Sequence, residues 1–373
     1  MTNSDKILSY VLFHEYKVII YGAGLYGNNL CLFLEQECGV RVDFFCDQNK
    51  ELWNKEILKG IACISLDELE EQKNDAVVII AVGIKHERSV KESFRERNIH
   101  RYITILDFVK NEWVKRIFCK RNINDMKGLH LKRNNSLESM PYRNKIPKEA
   151  RIAMYTCILN EYDVLHQPQF IAPNIDYYLI SEKKIDDLGV YQWIDIKTIV
   201  PGEQENYFLL NRFCKTHGAE IFSQYDYSAY VDGKIQIVGN VLSYFEEMGK
   251  TGVGLYLNET DDCIYSMGLL MTLQKRCDFE LTREQFMHYA KEGMPLHYGY
   301  LCGGFIFRDH NNQLGNELMK NWYEEYERWT TRDQFALPYV MWKMGLNIED
   351  IGFVCQGKSR LEDENIRYFP HCK

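Results

Sequence analysis

The chain has 373 residues, of which 46% are hydrophobic and 26% are charged, and its formal net charge is −8. This composition is typical of a globular protein with room for two domains of ordinary size, and it excludes a disordered chain. A globally acidic protein binds nucleic acid poorly, so no nucleic-acid partner is expected. No run of 18 apolar residues occurs, so no membrane-spanning helix is expected.

The N-terminal segment and the cysteines indicate the compartment. The segment is polar and acidic at its start and lacks the layout of a signal peptide. The 12 cysteines are scattered and form no Cys-x-x-Cys pair, so we interpret them as buried thiols rather than disulfides or a zinc site. The expected location is therefore the reducing cytoplasm.

The first half alternates short apolar runs with helical stretches. Strands are predicted at Lys17–Tyr21, Val40–Cys46, Ala76–Val82 and Tyr102–Leu106, and helices at Asn28–Glu37 and His86–Asn98. Strands that alternate with helices predict an α/β fold with a Rossmann-like, doubly wound parallel sheet.

A glycine-rich turn joins the first predicted strand to the first predicted helix. Its glycines are Gly22, Gly24 and Gly27, and Asp47 follows the second strand. In nucleotide-binding turns of this spacing, the glycines let a phosphate approach the helix N-terminus and the acidic residue binds the ribose. The glycines could also serve turn geometry alone, and Asp47 could cap a loop. Nucleotide binding and ligand-free domain docking therefore both stay open.

This half resembles the small Rossmann-like modules attached to sugar-modifying, acyltransferring and methyltransferring enzymes of polysaccharide pathways. The resemblance consists of the glycine turn, Phe45-Cys-Asp47-Gln-Asn49 and Leu66-Asp-Glu-Leu69. It implies a docking or nucleotide-binding domain.

A polar tract that contains Pro141 and Pro147 separates the two halves. Eleven basic and three acidic side chains lie between Lys115 and Arg151. This basic segment is either a solvated connector or a contact for an anionic membrane surface or lipid-phosphate acceptor. The second interpretation would place the protein at the inner face of a membrane. The predicted division is a Rossmann-like domain at 1–121, a basic linker at 122–148 and a transferase domain at 149–373.

The second half repeats the α/β pattern. Strands are predicted at Arg151–Leu159, Asp176–Ser181, Gln192–Ile199, Tyr227–Val231, Gly252–Leu257 and Gly303–Arg308. Helices are predicted at Asn206–His217, Asp262–Arg276, Thr282–Glu292, Gln313–Trp329 and Arg332–Met344. Ligands of open α/β sheets bind beyond the carboxyl ends of the strands, so the residues that follow these strands are the candidates for a site.

Asp232 is the first candidate, because it stands at the end of an apolar strand and is followed by glycine. Its carboxylate could hold Mn²⁺ or Mg²⁺, and such a cation clamps the diphosphate of a nucleotide-sugar. A plain hairpin turn is the alternative. Lys234 stands where a second carboxylate is often found, so the lysine could partly replace the metal. His310 and His371 are imidazoles that could complete the metal shell, and we predict His371 as the second ligand.

Further candidates come from the first strand and the following helix. Tyr155 could stack on a base, and Thr156 and Asn160 could bond its edges, although a buried tyrosine without a ligand is the commoner case. Arg212 and Lys215 share one helical face and could meet a diphosphate or simply face solvent.

The last candidates open a helix. Asp333 and Gln334 follow Arg332 and are well placed for capping. A helix N-terminus with these side chains could also bind sugar hydroxyls or present a carboxylate to a reacting centre.

Together these motifs resemble a glycosyltransferase-like family, once described only as a domain of unknown function, of plant mucilage-synthesis proteins and bacterial surface-polysaccharide clusters. The resemblance covers about Arg151–Leu346. Its motifs are Tyr155-Thr156 with Tyr162-Asp163, Asn211-Arg212 with Lys215, Tyr227–Ile235, Asp262–Tyr265, Gly303–Asn311, Arg332–Gln334 and Tyr339–Gly345. Asn258 and Glu259 stand near the place where the family pattern has a histidine.

The resemblance implies a GT-A fold and the transfer of a sugar from a nucleotide-sugar to a glycan or lipid-linked acceptor in surface polysaccharide biosynthesis. It implies Asp232 as the metal and diphosphate residue, and Asp333 and Gln334 as donor-sugar residues. If the reaction inverts the anomeric centre, Asp333 is the carboxylate that takes the acceptor proton. The stereochemistry, donor, acceptor and oligomeric state stay open.

Two other classes are compatible with the chain. The glycine turn and Asp47 fit a nicotinamide-dependent nucleotide-sugar oxidoreductase, although no Tyr-x-x-x-Lys proton donor follows the turn in the first half. The single Asp at 232 and the missing histidine fit a non-catalytic sugar-binding or scaffold protein.

Overall fold

The structure is a computed structural model that describes residues 3–120, 145–202, 206–258 and 260–372. The predicted linker lies almost entirely outside the described residues, as does most of the basic segment. The chain forms two compact units. Among the described residues, one unit comprises 3–120 and Tyr265–Gly293, and the other comprises 145–264 and 294–372.

The strands and helices follow in chain order. The strands are β1 (Lys17–Tyr21), β2 (Phe44–Cys46), β3 (Glu56–Leu58), β4 (Ile61–Ile64), β5 (Ala76–Ile80), β6 (Tyr102–Thr104), β7 (Ile152–Cys157), β8 (Ile175–Ser181), β9 (Tyr191–Asp195), β10 (Tyr227–Val231), β11 (Ile235–Ile237), β12 (Val253–Leu257), β13 (Leu301–Asp309), β14 (Gly352–Phe353) and β15 (Ile366–Tyr368). The α-helices are α1 (Asn3–Leu12), α2 (Leu25–Glu37), α3 (Leu66–Glu71), α4 (Ile84–Glu96), α5 (Ile105–Lys110), α6 (Glu112–Phe118), α7 (Ile196–Ile199), α8 (Tyr207–Thr216), α9 (Gly218–Ile221), α10 (Ile264–Leu273), α11 (Phe279–Glu292), α12 (Gln313–Trp329) and α13 (Asp333–Lys343).

The first unit contains a six-stranded sheet in the order β3-β4-β2-β1-β5-β6. All neighbouring pairs are parallel except β3 and β4, so the predicted parallel sheet is confirmed. The pattern missed β3, β4, α1, α3, α5 and α6, and it made β2 and β6 too long. Short elements carry too few residues for a clear period, and α3 depends on a capping box between Ser65 and Glu68.

Helices α10 and α11 belong to the first unit from Tyr265 onward. Phe279 lies edge-on to Phe33 and Phe118, and the Arg283 side chain donates from Nε to the Phe118 carbonyl. Arg283 also pairs with Glu37 at 2.9 Å. The predicted division assigned these helices to the second domain, whereas their side chains pack against α2 and α6.

The second unit contains a seven-stranded sheet in the order β14-β12-β13-β10-β7-β8-β9. Only β13 runs antiparallel to its neighbours. The carboxyl ends of the other strands therefore meet at one edge of the sheet, where β13 begins. This second, mainly parallel sheet confirms the predicted α/β class. The predicted strand Gln192–Ile199 is wrong at its end, because Asp195 caps α7 by accepting from the Lys197 backbone N–H.

No helix among the described residues has both the length and the apolar character that a membrane span requires.

Candidate functional site

Asp232 lies at the carboxyl end of β10, as predicted. Its backbone N–H donates to the Gly304 carbonyl at 2.8 Å, and its Oδ1 accepts from the Tyr230 hydroxyl at 3.0 Å. Gly304 belongs to the neighbouring strand β13, and a Cβ built there would lie 3.0 Å from Asp232 Oδ2. Glycine at 304 therefore leaves the carboxylate its position at the edge of the sheet.

We expect the Gly304→Ala variant to lower the free energy of unfolding by about 1–3 kcal/mol. The added methyl group presses on the Asp232 carboxylate, and crowding of this kind is costly where the neighbour cannot move freely. Urea denaturation measures the change. Gly83→Ala is the control, because a Cβ at Gly83 meets no atom within 4 Å. Equal stability of both variants would contradict the prediction.

A buried ion cluster lies beside the site, where α8 meets the N-terminus of α13. Lys215 Nζ is 2.5 Å and Arg212 Nε 3.3 Å from Asp333 Oδ2. The side chains of Lys215 and Asp333 are only 4% and 6% exposed. Helix α8 thus directs both Arg212 and Lys215 to the carboxylate of Asp333. The sequence analysis did not predict this contact, because Lys215 and Asp333 are 118 positions apart.

The charges of this cluster determine the protonation of Asp333. Burial alone raises the pKa of its carboxyl group, but the nearby charges of Arg212 and Lys215 outweigh this effect and hold the pKa well below its usual range. Burial opposes the charge of Arg212, and the carboxylate of Asp333 more than compensates, so the guanidinium pKa is raised. A buried carboxylate with a lowered pKa is a weak base, which argues against Asp333 as the group that takes an acceptor proton.

Gln334 lies next to this cluster and is partly exposed. Its Nε2 donates to the Leu301 carbonyl at 3.0 Å, and its Oε1 accepts from Arg332 Nη2 at 3.1 Å. Leu301 is the first residue of β13, so these bonds fix Gln334 at the same edge of the sheet.

Tyr155 lies inside the core rather than at the edge of the sheet. It is 1% exposed, its hydroxyl donates to the Cys214 carbonyl at 2.9 Å, and its ring packs against Phe222. Thr156 is 4% exposed. These positions argue against the predicted contacts of both residues with a base. All six residues of β7 are buried, because the strand is covered on both faces. A continuous apolar run in the sequence indicates such a strand, and this run was the signal against an exposed Tyr155.

Tyr162, in the loop after β7, presents an exposed aromatic ring at this edge. Tyr162 is 38% exposed and lies edge-on to the Phe208 ring at 6.4 Å. The sequence prediction used Tyr162 only as part of a motif and gave it no role.

His371 lies between two charged side chains. Its Nδ1 is 2.9 Å from Asp163 Oδ1, and its Nε2 is 3.1 Å from Lys234 Nζ. Strand β15 brings the tail here by pairing with β11. Both ring nitrogens therefore have partners, and His371 as a metal ligand stays a prediction. Burial raises the pKa of Asp163 and lowers that of Lys234, and the charge of Asp232 opposes the shift of Lys234.

One group of histidine and acidic side chains that could hold a metal ion occurs among the described residues. It consists of Asp261, Asp262 and His297, whose ligand atoms all lie within 4.8 Å of one another. Asp232 and His371 are not part of it.

The glycine turn of the first unit has the predicted shape. Gly22 has a φ of +107°, and a Cβ at Gly27 would overlap the Gly22 carbonyl oxygen, so both positions require glycine. Gly24 immediately precedes α2. Asp47 Oδ2 accepts from the Ala23 backbone N–H at 2.9 Å, so this carboxylate braces the turn. Nucleotide binding by the turn stays a prediction.

The second unit thus places a carboxylate, a buried and a partly exposed cation and an amide at the carboxyl edge of a mainly parallel sheet, which suits the binding of phosphate and sugar groups. Residues 181–356 match the model of a family described as "TOD1/MUCI70, glycosyltransferase-like domain". The resemblance predicted for the C-terminal half is confirmed, and the match supports a glycosyltransferase. The segment does not extend to the N-terminal half, whose predicted resemblance stays a prediction.

A solved apo structure of a bifunctional glycosyltransferase, WbbM, is similar to the chain with a TM-score of 0.33 and 8% identity. The similarity covers 57% of this chain and 40% of the other, so this chain spans less than half of that protein. No curated protein matches the chain.

Proposed function

We propose that the protein transfers a sugar from a nucleotide-sugar donor to a glycan or lipid-linked acceptor in surface polysaccharide biosynthesis. The observation that carries the proposal is the cluster of Asp333, Arg212 and Lys215. This cluster lies beside Gln334 and Asp232, which are both held at the carboxyl edge of the sheet. These five residues lie within the segment that matches the glycosyltransferase-like family. The GT-A class is part of this proposal.

The departing nucleoside diphosphate develops negative charge that cations must stabilise. Arg212 and Lys234 supply positive charge around Asp232, and Mn²⁺ or Mg²⁺ supplies more when bound. Asp333 holds Arg212 and Lys215 in place and, with Gln334, contacts the donor sugar. Because Asp333 is a weak base, this assignment favours positioning of the donor over proton removal from the acceptor.

The exposed ring of Tyr162 is the best candidate for stacking on the base of the donor. It stands on the loop that follows β7, at the edge where ligands of α/β sheets bind. It takes the role that the sequence interpretation gave to Tyr155, whose ring is buried.

The cytoplasm is the proposed location, where nucleotide-sugar donors are made and used. The basic segment between Lys115 and Arg151 is proposed to contact an anionic membrane that carries the acceptor. Its central part lies outside the described residues.

Release of nucleoside diphosphate from a panel of nucleotide-sugars, with and without Mn²⁺, tests the proposal. We expect one donor to be turned over, and Asp232→Asn to reduce the turnover at least a hundredfold, because a cation that would clamp the diphosphate would lose its carboxylate ligand. Asp186→Asn, an exposed acid of the same unit, is the control. Unchanged turnover in Asp232→Asn would contradict the assignment of Asp232.

Two alternatives are retained as predictions. The well-formed glycine turn favours a nicotinamide-dependent oxidoreductase, and quenching of Trp emission by NADH but not by UDP would support it. Tight nucleotide-sugar binding without turnover on any acceptor would support a non-catalytic sugar-binding or scaffold protein.

A further inference from the structure

Two turns of the second unit bring three metal-binding side chains together. Asp261 and Asp262 follow β12, and His297 precedes β13. The two strands are antiparallel neighbours, and Leu257 at the end of β12 pairs with Leu301 at the start of β13. Both turns therefore lie at the same edge of the sheet, and the ligand atoms of the three side chains lie within 4.8 Å of one another.

The turn after β12 is ordered by its own side chains. Asn258 Oδ1 accepts from the Thr260 backbone N–H at 2.9 Å and from that of Asp261 at 3.2 Å. The Asp262 backbone N–H in turn donates to Asp261 Oδ1 at 2.8 Å. The two consecutive carboxylates are thereby held on one side of the turn, where the imidazole of His297 lies 2.6 Å from Asp262 Oδ1.

The chemistry of this set differs from that around Asp232. Two carboxylates held this close repel one another, and a divalent cation relieves that repulsion. Around Asp232, by contrast, the charge is supplied by Lys234 and Arg212. An imidazole with two carboxylates is a mixed nitrogen and oxygen set, which suits Mn²⁺ or a similar transition-metal cation better than Ca²⁺ or Mg²⁺.

We propose that the protein binds a divalent transition-metal cation, with Mn²⁺ as the representative ion, through Asp261, Asp262 and His297. The side chains of Asp262 and His297 are 22% and 31% exposed, so water or a phosphate oxygen can reach the remaining coordination positions. The inference goes beyond the proposed function, because cation binding is measured without any sugar transfer.

Titration of the full-length, chelator-treated protein with MnCl₂, followed by calorimetry and by electron paramagnetic resonance, tests the proposal. We expect Mn²⁺ binding with nitrogen coupling from the imidazole in the resonance spectrum. His297→Gln and Asp262→Asn are each expected to weaken binding at least tenfold, and His297→Gln to remove the nitrogen signal. The bound ion should also raise the melting temperature of the wild type but not of these variants.

The matched control is Asp187→Asn, because Asp186 and Asp187 are also consecutive exposed acids but belong to no such group in the described part of the chain. It should bind Mn²⁺ like the wild type. If one variant fails to fold, Asp261→Asn takes its place. Absence of binding at millimolar Mn²⁺, or loss of binding in Asp232→Asn but not in His297→Gln, would overturn the proposal. Loss of sugar transfer alone would bear on the proposed function and not on this site.

Discussion

Replacement of Asp333 by asparagine is expected to abolish donor turnover and to lower the free energy of unfolding by about 3–5 kcal/mol. The substitution keeps the shape of the side chain but leaves Lys215, whose side chain is 4% exposed, without its counterion. Arg212 loses its carboxylate partner as well. Urea denaturation at pH 7 and nucleoside diphosphate release from the donor measure the two effects.

The stability that Asp333 contributes also has a defined pH dependence. Its pKa in the folded protein is lower than in the unfolded chain, so the contribution is fully present above the unfolded value, near pH 4. It is lost as the pH falls from there towards the folded value. The urea midpoint of the wild type should therefore fall below pH 4 more steeply than that of Asp333→Asn.

Two further variants separate stability from activity. Asp363→Asn removes another buried carboxylate, which accepts from the Tyr244 hydroxyl and is 6% exposed, and it should retain turnover. The double variant Asp333→Leu with Lys215→Met should recover part of the stability without activity, since an apolar pair replaces the two buried ions and only the partly exposed Arg212 loses its partner. If Asp333→Asn lowers the free energy of unfolding by less than about 1 kcal/mol, the charges of the cluster are less strongly coupled than their distances indicate.

A fragment of residues 1–121 is expected not to fold cooperatively. In the intact protein, Phe33 and Phe118 are 3% and 0% exposed and pack against Phe279. Each such side chain contributes about 1.5–3 kcal/mol on burial, so loss of α10 and α11 removes an amount comparable to the stability of a whole domain. Urea denaturation followed by far-UV circular dichroism measures the cooperativity.

The matched control is a fusion in which a flexible glycine-serine linker joins residues 265–293 to the fragment. This fusion should regain a sharp transition, because the apolar faces of α2 and α6 are covered again. The same fusion with Phe279→Ser should regain less of the sharp unfolding transition. A sharp transition of fragment 1–121 alone, with the midpoint of the fused form, would support the predicted domain boundary instead.

Several elements were predictable because their signal is local. The strand Lys17–Tyr21 has the predicted bounds, since a parallel strand covered on both faces is a continuous apolar run. Helix Gln313–Trp329 also has the predicted bounds, because its period is clear and Asn312 caps it by accepting from the Gly315 backbone N–H. Asp232 lies at its strand end for the same reason.

The candidate site was predictable only in part. The helical spacing of Arg212 and Lys215 placed both on one face, but their shared partner Asp333 lies more than a hundred positions away. Tyr155 was assigned to a base although it stands in a continuous apolar run, which is typical of a strand buried on both faces, and Tyr162 was given no role. The proposed cation ligands were missed because Asp262 and His297 are 35 positions apart and meet only when β12 and β13 pair.

The amino-acid sequence alone determined two α/β halves, the glycine turn, the strand that ends at Asp232 and the helix that begins at Asp333. These depend on apolar period, turn residues and capping, which act over a few neighbouring positions. The tertiary structure alone decided that Tyr265–Gly293 joins the first unit, that Asp333 is buried between two cations and that His371 bonds to Asp163. These outcomes depend on contacts between segments that are distant in the sequence. A local pattern contains no information about which of these segments become buried or which charges pair.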